Sequence, residues 1–138
     1  MTGDIHRGSC LCGSVTYTIT GPLRPVIGCH CQQCRKMTGH YVAATGAPRE
    51  RITVTGDVTW YQSSPAARRG FCSICGSSLF WDGQASSTLA VMAGTLDGET
   101  GLQTQGHIFV ADKGDYYEID PSLPQADADE HDLTTQVP

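Results

Sequence analysis

With 138 residues the chain has the size of one domain, and no apolar run approaches the roughly 18 to 20 residues of a membrane-spanning helix. Nine Lys plus Arg against fourteen Asp plus Glu give a net charge of -5, which excludes the basic footprint of a non-specific nucleic-acid or anionic-lipid binder. The first ten residues lack the apolar core of a secretory signal, so a cytoplasmic protein is expected.

In chain order, Gly8 to Gly13 reads as a tight metal-binding turn. Ser14 to Thr20 then alternates, with Val15, Tyr17 and Ile19 on one face, as a half-buried strand does. Gly21-Pro22 stops it, Pro25 delays resumption, and Val26-Ile27-Gly28 leads into Cys29. Gln32 to Thr38 predicts one short helix, closed by Gly39. Strand-like text follows at Tyr41 to Thr45, Ile52 to Thr55, Val58 to Gln62, Ser78 to Trp81, Thr88 to Met92, His107 to Val110 and Tyr116 to Ile119. Gly56-Asp57, Asp82-Gly83, Asp97-Gly98 and Lys113-Gly114-Asp115 supply turns between antiparallel strands. The expected fold is mainly β, antiparallel, with one short helix. Residues 120–138 carry five acidic side chains and neither aromatics nor Lys and Arg, which predicts a flexible or loosely draped tail after a domain spanning 1–119.

Seven cysteines in a chain of 39% hydrophobic content suggest that something besides the core holds the fold. An odd count without an export signal argues against a disulfide framework and for metal ligation. The thiols fall in three clusters: Cys10-x-Cys12, Cys29-x-Cys31-x2-Cys34 and Cys72-x2-Cys75. Two thiols at such spacing on a turn can face one ion while backbone N–H groups point at the sulfurs. Seven divides into four plus three: a closed tetrahedral zinc site from Cys10, Cys12, Cys72 and Cys75, and an open one from Cys29, Cys31 and Cys34. Spacing does not exclude a single zinc ribbon from Cys31, Cys34, Cys72 and Cys75, with Cys10, Cys12 and Cys29 as spares, although the two-site division is favoured.

Three stretches resemble a known family: Gly8-Ser9-Cys10-Leu11-Cys12-Gly13-Ser14-Val15, Cys29-His30-Cys31-Gln32-Gln33-Cys34-Arg35-Lys36-Met37-Thr38-Gly39 and Phe71-Cys72-Ser73-Ile74-Cys75-Gly76-Ser77. Together with His107 to Lys113 and Tyr116 to Ile119 they resemble the glutathione-dependent formaldehyde-activating enzymes, a family that includes the centromere protein V type domain. The resemblance implies a zinc-stabilised β fold of the Mss4-like type with two Zn2+ ions. It assigns Cys10, Cys12, Cys72 and Cys75 to the structural ion and Cys29, Cys31 and Cys34 to the reactive one. The implied reaction is a carbon-sulfur lyase chemistry joining a small thiol, glutathione, to a small electrophile, formaldehyde. Other small-molecule chemistry at the same zinc, or a non-enzymatic zinc-stabilised binding module, are the competing expectations.

Three thiolates on Zn2+ leave a net charge of -1, which weakens activation of water and suits the holding of a substrate thiolate. Arg35-Lys36 either steer an anionic substrate toward the metal or offset the thiolate charge, the latter being favoured, and Arg68-Arg69 read as charge compensation or solvated surface rather than substrate binding. His30 is flanked by cysteines, but neighbours on an extended turn point apart, so ligation is not expected of it. His107 reads as a hydrogen-bonded histidine on a strand face with Phe109, and Asp112-Lys113 as an ordinary turn. Trp60, Tyr61, Phe71, Phe80 and Trp81 are expected in the core. Ser73, Ser77 and Ser78 lack a base and an orienting acid, which excludes a serine hydrolase.

Overall fold

A computed structural model describes residues 4–134. The first sheet is built from β1 (Ile5–Ser9), β2 (Thr16–Thr20) and β5 (Ile52–Thr55) in the order β1-β2-β5. The second contains β3 (Val26–Cys29), β4 (Val42–Pro48), β6 (Val58–Gln62), β7 (Arg68–Cys72), β8 (Ser78–Asp82), β9 (Thr88–Met92) and β10 (Thr104–Ile108), in the order β10-β3-β4-β9-β8-β7-β6. Every pair is antiparallel except β10 with β3. Eleven residues between β9 and β10 give the chain room to cross over and run parallel to β3. The described fold is mainly β, as the sequence predicts.

Helix α1 (Gln32–Thr38) forms where predicted. The Cys31 sulfur caps its start by accepting the Cys34 N–H, and Gly39, at φ 80°, closes it by donating to the Arg35 carbonyl. Arg35 and Lys36 lie in the last turn, where the helix dipole favours cations. A single further helical turn, α2 (His131–Thr134), ends the described chain.

The large sheet has two differently covered faces. Tyr17 and Ile19 of the small sheet, with Val15 just before β2, pack with Leu79, Phe80, Leu89 and Val91, and the Tyr17 and Phe80 rings meet edge-on at 5.6 Å. On the opposite face Val42, Ala44 and Met92 pack with Cys34, and Cys29, Cys31 and Ala90 close around them. The main core therefore lies between the sheets, and the cysteine-rich helix start sits on the outer face of the larger one.

Three expectations change. Tyr116 to Ile119 is not a strand: Tyr117 turns in to the buried His30, the exposed Tyr116 bonds His40 at the surface, and Lys113 donates to the Tyr117 carbonyl. Tyr61 and Trp81 are exposed, 59% and 37%, whereas Phe80 is fully buried and Trp60 and Phe71 are half-buried. Trp60, Tyr61, Phe80 and Trp81 lie in strands that the sequence predicts, but the face carrying Tyr61 and Trp81 has no second sheet over it. Gly8 lies inside β1 rather than in a turn: a Cβ there would fall 2.3 Å from the Tyr17 ring. Beyond Ile119 the chain follows β10, with Ala126 donating to the His107 carbonyl, Phe109 to that of Ala128 and the Arg24 guanidinium to that of Thr134.

Candidate metal and thiol site

The first cysteine group joins two turns. Cys10 and Cys12 follow β1, held by Cys10 N–H to the Val15 carbonyl and Gly13 N–H to the Cys10 carbonyl. Cys72 ends β7, and Gly76 N–H bonds back to its carbonyl so that Cys75 comes round beside it. The four sulfurs lie within 4.8 Å of one another, with Cys10 to Cys12 at 3.6 Å and Cys12 to Cys72 at 3.7 Å. A tetrahedral ion with Zn–S bonds of about 2.3 Å has edges of about 3.8 Å, so the spacing fits.

Hydrogen bonds converge on the same sulfurs. Val15 N–H points at Cys10 and Ile74 N–H at Cys72. The Ser77 hydroxyl accepts from Leu11 N–H at 2.8 Å, which frees its proton for the Cys75 sulfur at 3.2 Å and ties one turn to the other. The Ser77 hydroxyl, its N–H and that of Cys12 hold the Cys75 thiol down at about 5. Ser77 is thus a partner of the cysteine group, not a nucleophile.

The second group forms at the junction of β3 and α1. Cys29 ends the strand, Cys31 caps the helix and Cys34 lies in its first turn, again with all sulfurs within 4.8 Å. Cys34 is buried, whereas Cys29 and Cys31 are half-buried. The neighbouring Cys29 and Cys34 thiols, the Cys34 N–H and Arg69 draw the Cys31 thiol strongly down. The same sharing, with burial, pushes Cys29 up. Three soft donors around one point, without a fourth among the described residues, suit a metal ion with an exchangeable position. The structure thus separates the seven thiols into groups of four and three, and the ribbon pairing of Cys31 and Cys34 with Cys72 and Cys75 is not formed.

Beside the open group lies an aromatic and histidine cover. His30 is fully buried; its Nδ1 bonds the Tyr117 hydroxyl and its Nε2 the His107 Nδ1 at 2.9 Å. Tyr41 stacks on His30 with centroids 4.3 Å apart, and His40 bonds the Tyr116 hydroxyl through Nδ1 at 2.9 Å. Burial, followed by the charges of His107, His40 and Lys113, lowers His30 to about 4, so the imidazole is neutral at pH 7. Phe109, at φ 55°, turns the chain out of β10, after which Lys113 donates to the carbonyls of Gly114 and Tyr117.

His107 is therefore hydrogen-bonded as expected, but to His30 and without Phe109 beside it on the strand. Tyr41, Tyr116, Tyr117 and His40 were missed, and only the position of His30 between two cysteines hinted that a polar cover had to exist there. Arg35 and Lys36 line an open groove of about 500 Å³ with Gln32, Gly39 and Tyr116. Arg68 pairs with Asp82 and stacks on Trp60, whereas Arg69 is buried against Cys34.

The fold and these two thiol groups, each able to hold a metal ion, define a β domain of a recognisable class. The sequence pattern of the glutathione-dependent formaldehyde-activating enzymes matches residues 5–112, and the chain belongs to that family. It is 23% identical over 116 residues to a Schizosaccharomyces pombe protein named an uncharacterised lyase, covering 83% of this chain and 85% of the relative. A Rhodobacter sphaeroides protein of known crystal structure superposes with a TM-score of 0.56 at 24% identity, covering 69% of this chain and 91% of that one, which supports the fold. Among the described residues no helix is long and apolar enough to cross a membrane.

Proposed function

We propose that the protein is a carbon-sulfur lyase-type enzyme that adds a small thiol such as glutathione to formaldehyde or a related small electrophile. Cys29, Cys31 and Cys34 hold the reactive Zn2+, and Cys10, Cys12, Cys72 and Cys75 hold a structural one. The observation that carries this reading is the three-sulfur group with two half-buried members, set beside a basic groove, in a chain that builds a separate four-sulfur group for stability.

Zinc, when bound, supplies a positive centre that favours the deprotonated form of an incoming thiol. The chain's own residues do the rest. Cys31 and Cys34 are fixed by the helix start, and Arg69 offsets their charge. Arg35 and Lys36 offer cations to the carboxylates of a thiol such as glutathione. In the addition, the thiol gives up its proton, a C–S bond forms at the carbonyl carbon, and the C=O π pair moves to oxygen, which then takes a proton. The product is an S-hydroxymethyl thioether, a hemithioacetal. A cytoplasmic setting, with its reduced thiols, suits this chemistry.

The test is native mass spectrometry of protein purified under reducing conditions, combined with NMR of mixtures of formaldehyde and glutathione. Two zinc ions per chain and an accelerated approach to the hemithioacetal equilibrium are expected. One zinc with all remaining thiols reduced, and no acceleration, overturns the reading.

A further inference from the structure

Arg69 is 3% exposed and has no carboxylate partner among the described residues, since the nearby Asp82 is taken by Arg49 at 2.5 Å and Arg68 at 2.9 Å. Its Nη1 and Nη2 point at the Cys34 sulfur from 3.7 and 3.6 Å, Nη2 also reaches Gln33 Oε1 at 3.4 Å, and Nε is buried without a partner. A buried guanidinium is costly unless a negative charge faces it. Here the sulfur group supplies that charge.

The placement is enforced by the sheet. Arg69 pairs across β7 with Tyr61 on one side and Trp81 on the other, and Trp81 pairs with Ala90, which packs against the cluster that holds Cys34. Directly opposed residues share a face, so the strand delivers the arginine to the underside of α1. The same strand ends three residues later in Cys72 of the four-sulfur group. Gln33 locks the arrangement by donating to the Ser63 carbonyl at 3.0 Å while accepting from Arg69.

Three thiolates and a divalent ion carry -1, and a fourth thiolate would bring -2 into a partly buried site. We propose that Arg69 is a positioning residue of the three-cysteine site: its fixed positive charge offsets that of an incoming thiolate, so the metal-loaded site prefers an anionic sulfur ligand to a neutral one. This deepens the functional reading above and rests on it.

The test uses cobalt-loaded protein, whose visible and charge-transfer spectrum responds to a new ligand, titrated with 2-mercaptoethanol and separately with imidazole. In Arg69→Gln, 2-mercaptoethanol affinity is expected to fall by about tenfold or more while imidazole affinity stays within about threefold; Arg69→Lys should recover most of the thiol preference. Equal weakening of both ligands, or no change in either, overturns the proposal and leaves Arg69 a packing residue. If Arg69→Gln does not fold, Arg69→Lys decides: retained thiol preference supports the proposal, and its loss overturns it. A parent protein that loads cobalt but binds no thiol overturns the functional reading as well.

Discussion

His30 and Tyr117, 87 residues apart in sequence, share a hydrogen bond beside the open thiol group, and His107 engages the other ring nitrogen of the same histidine. A neutral imidazole offers one donor and one acceptor, so this histidine is satisfied on both sides only while both partners stay in place. Tyr117→Phe leaves Nδ1 of a fully buried ring unpaired and should cost about 1–3 kcal/mol, read from urea unfolding at constant free zinc. A change below about 0.5 kcal/mol would mean that water replaces the hydroxyl freely.

Gly28 makes room for that histidine pair. A Cβ there would fall 2.5 Å from His107 Nδ1 and 3.0 Å from Cε1, the ring that bonds His30. Gly28→Ala should therefore push His107 away, destabilise the domain by about 1–3 kcal/mol and shift the His30 and His107 ring resonances together in NMR spectra. If the alanine is accommodated without moving either resonance, the histidine bond does not depend on this close approach.

The same burial sets a pH dependence. His30 is lowered to about 4, against about 6.5 in an unfolded chain, so between these values the unfolded state binds the extra proton. The stability from keeping the ring neutral is complete above about 6.5 and is lost as pH falls toward 4. In His30→Gln, the slope of unfolding free energy against pH over roughly 5 to 6.5 should be shallower by up to one proton, about 1.4 kcal/mol per pH unit. An unchanged slope would show that His30 protonates in the folded state as it does in the unfolded one.

The sequence reveals whatever local chemistry determines. Gly39 closes α1 where predicted, and β-branched and aromatic runs bound β5, β6 and β9 to the residue. β7 escaped because Arg68-Arg69-Gly70 reads as polar, although Arg69 points inward to a sulfur and the side-chain-free Gly70 admits the Trp60 ring. Four-residue β3, with Pro25 before it and Gly28 within, carries too little pattern to be recognised alone. The two thiol groups were legible because clustered cysteines mark turns. The tyrosine cover was not, since its contacts are long-range and Tyr116-Tyr117 alternates no differently from a strand.

Cysteine substitutions separate the two thiol groups. Cys75 belongs to a group that brings residues 10–12 to residues 72–75, so an ion held there would close a long loop and be coupled to folding. Structural zinc is worth about 10–16 kcal/mol in small domains, which matches or exceeds the whole stability of a typical domain. Cys75→Ser is accordingly expected to unfold the protein, as is strong chelation. Cys31 differs, because its sulfur also caps α1 by accepting the Cys34 N–H at 3.4 Å. Serine is a better cap than most residues, so Cys31→Ser keeps the helix start while removing one of three metal donors. That variant should retain its far-UV circular dichroism, hold one zinc by native mass spectrometry and lose thiol-dependent turnover. If Cys31→Ser unfolds as completely as Cys75→Ser, the three-sulfur group is a second staple rather than a reactive site.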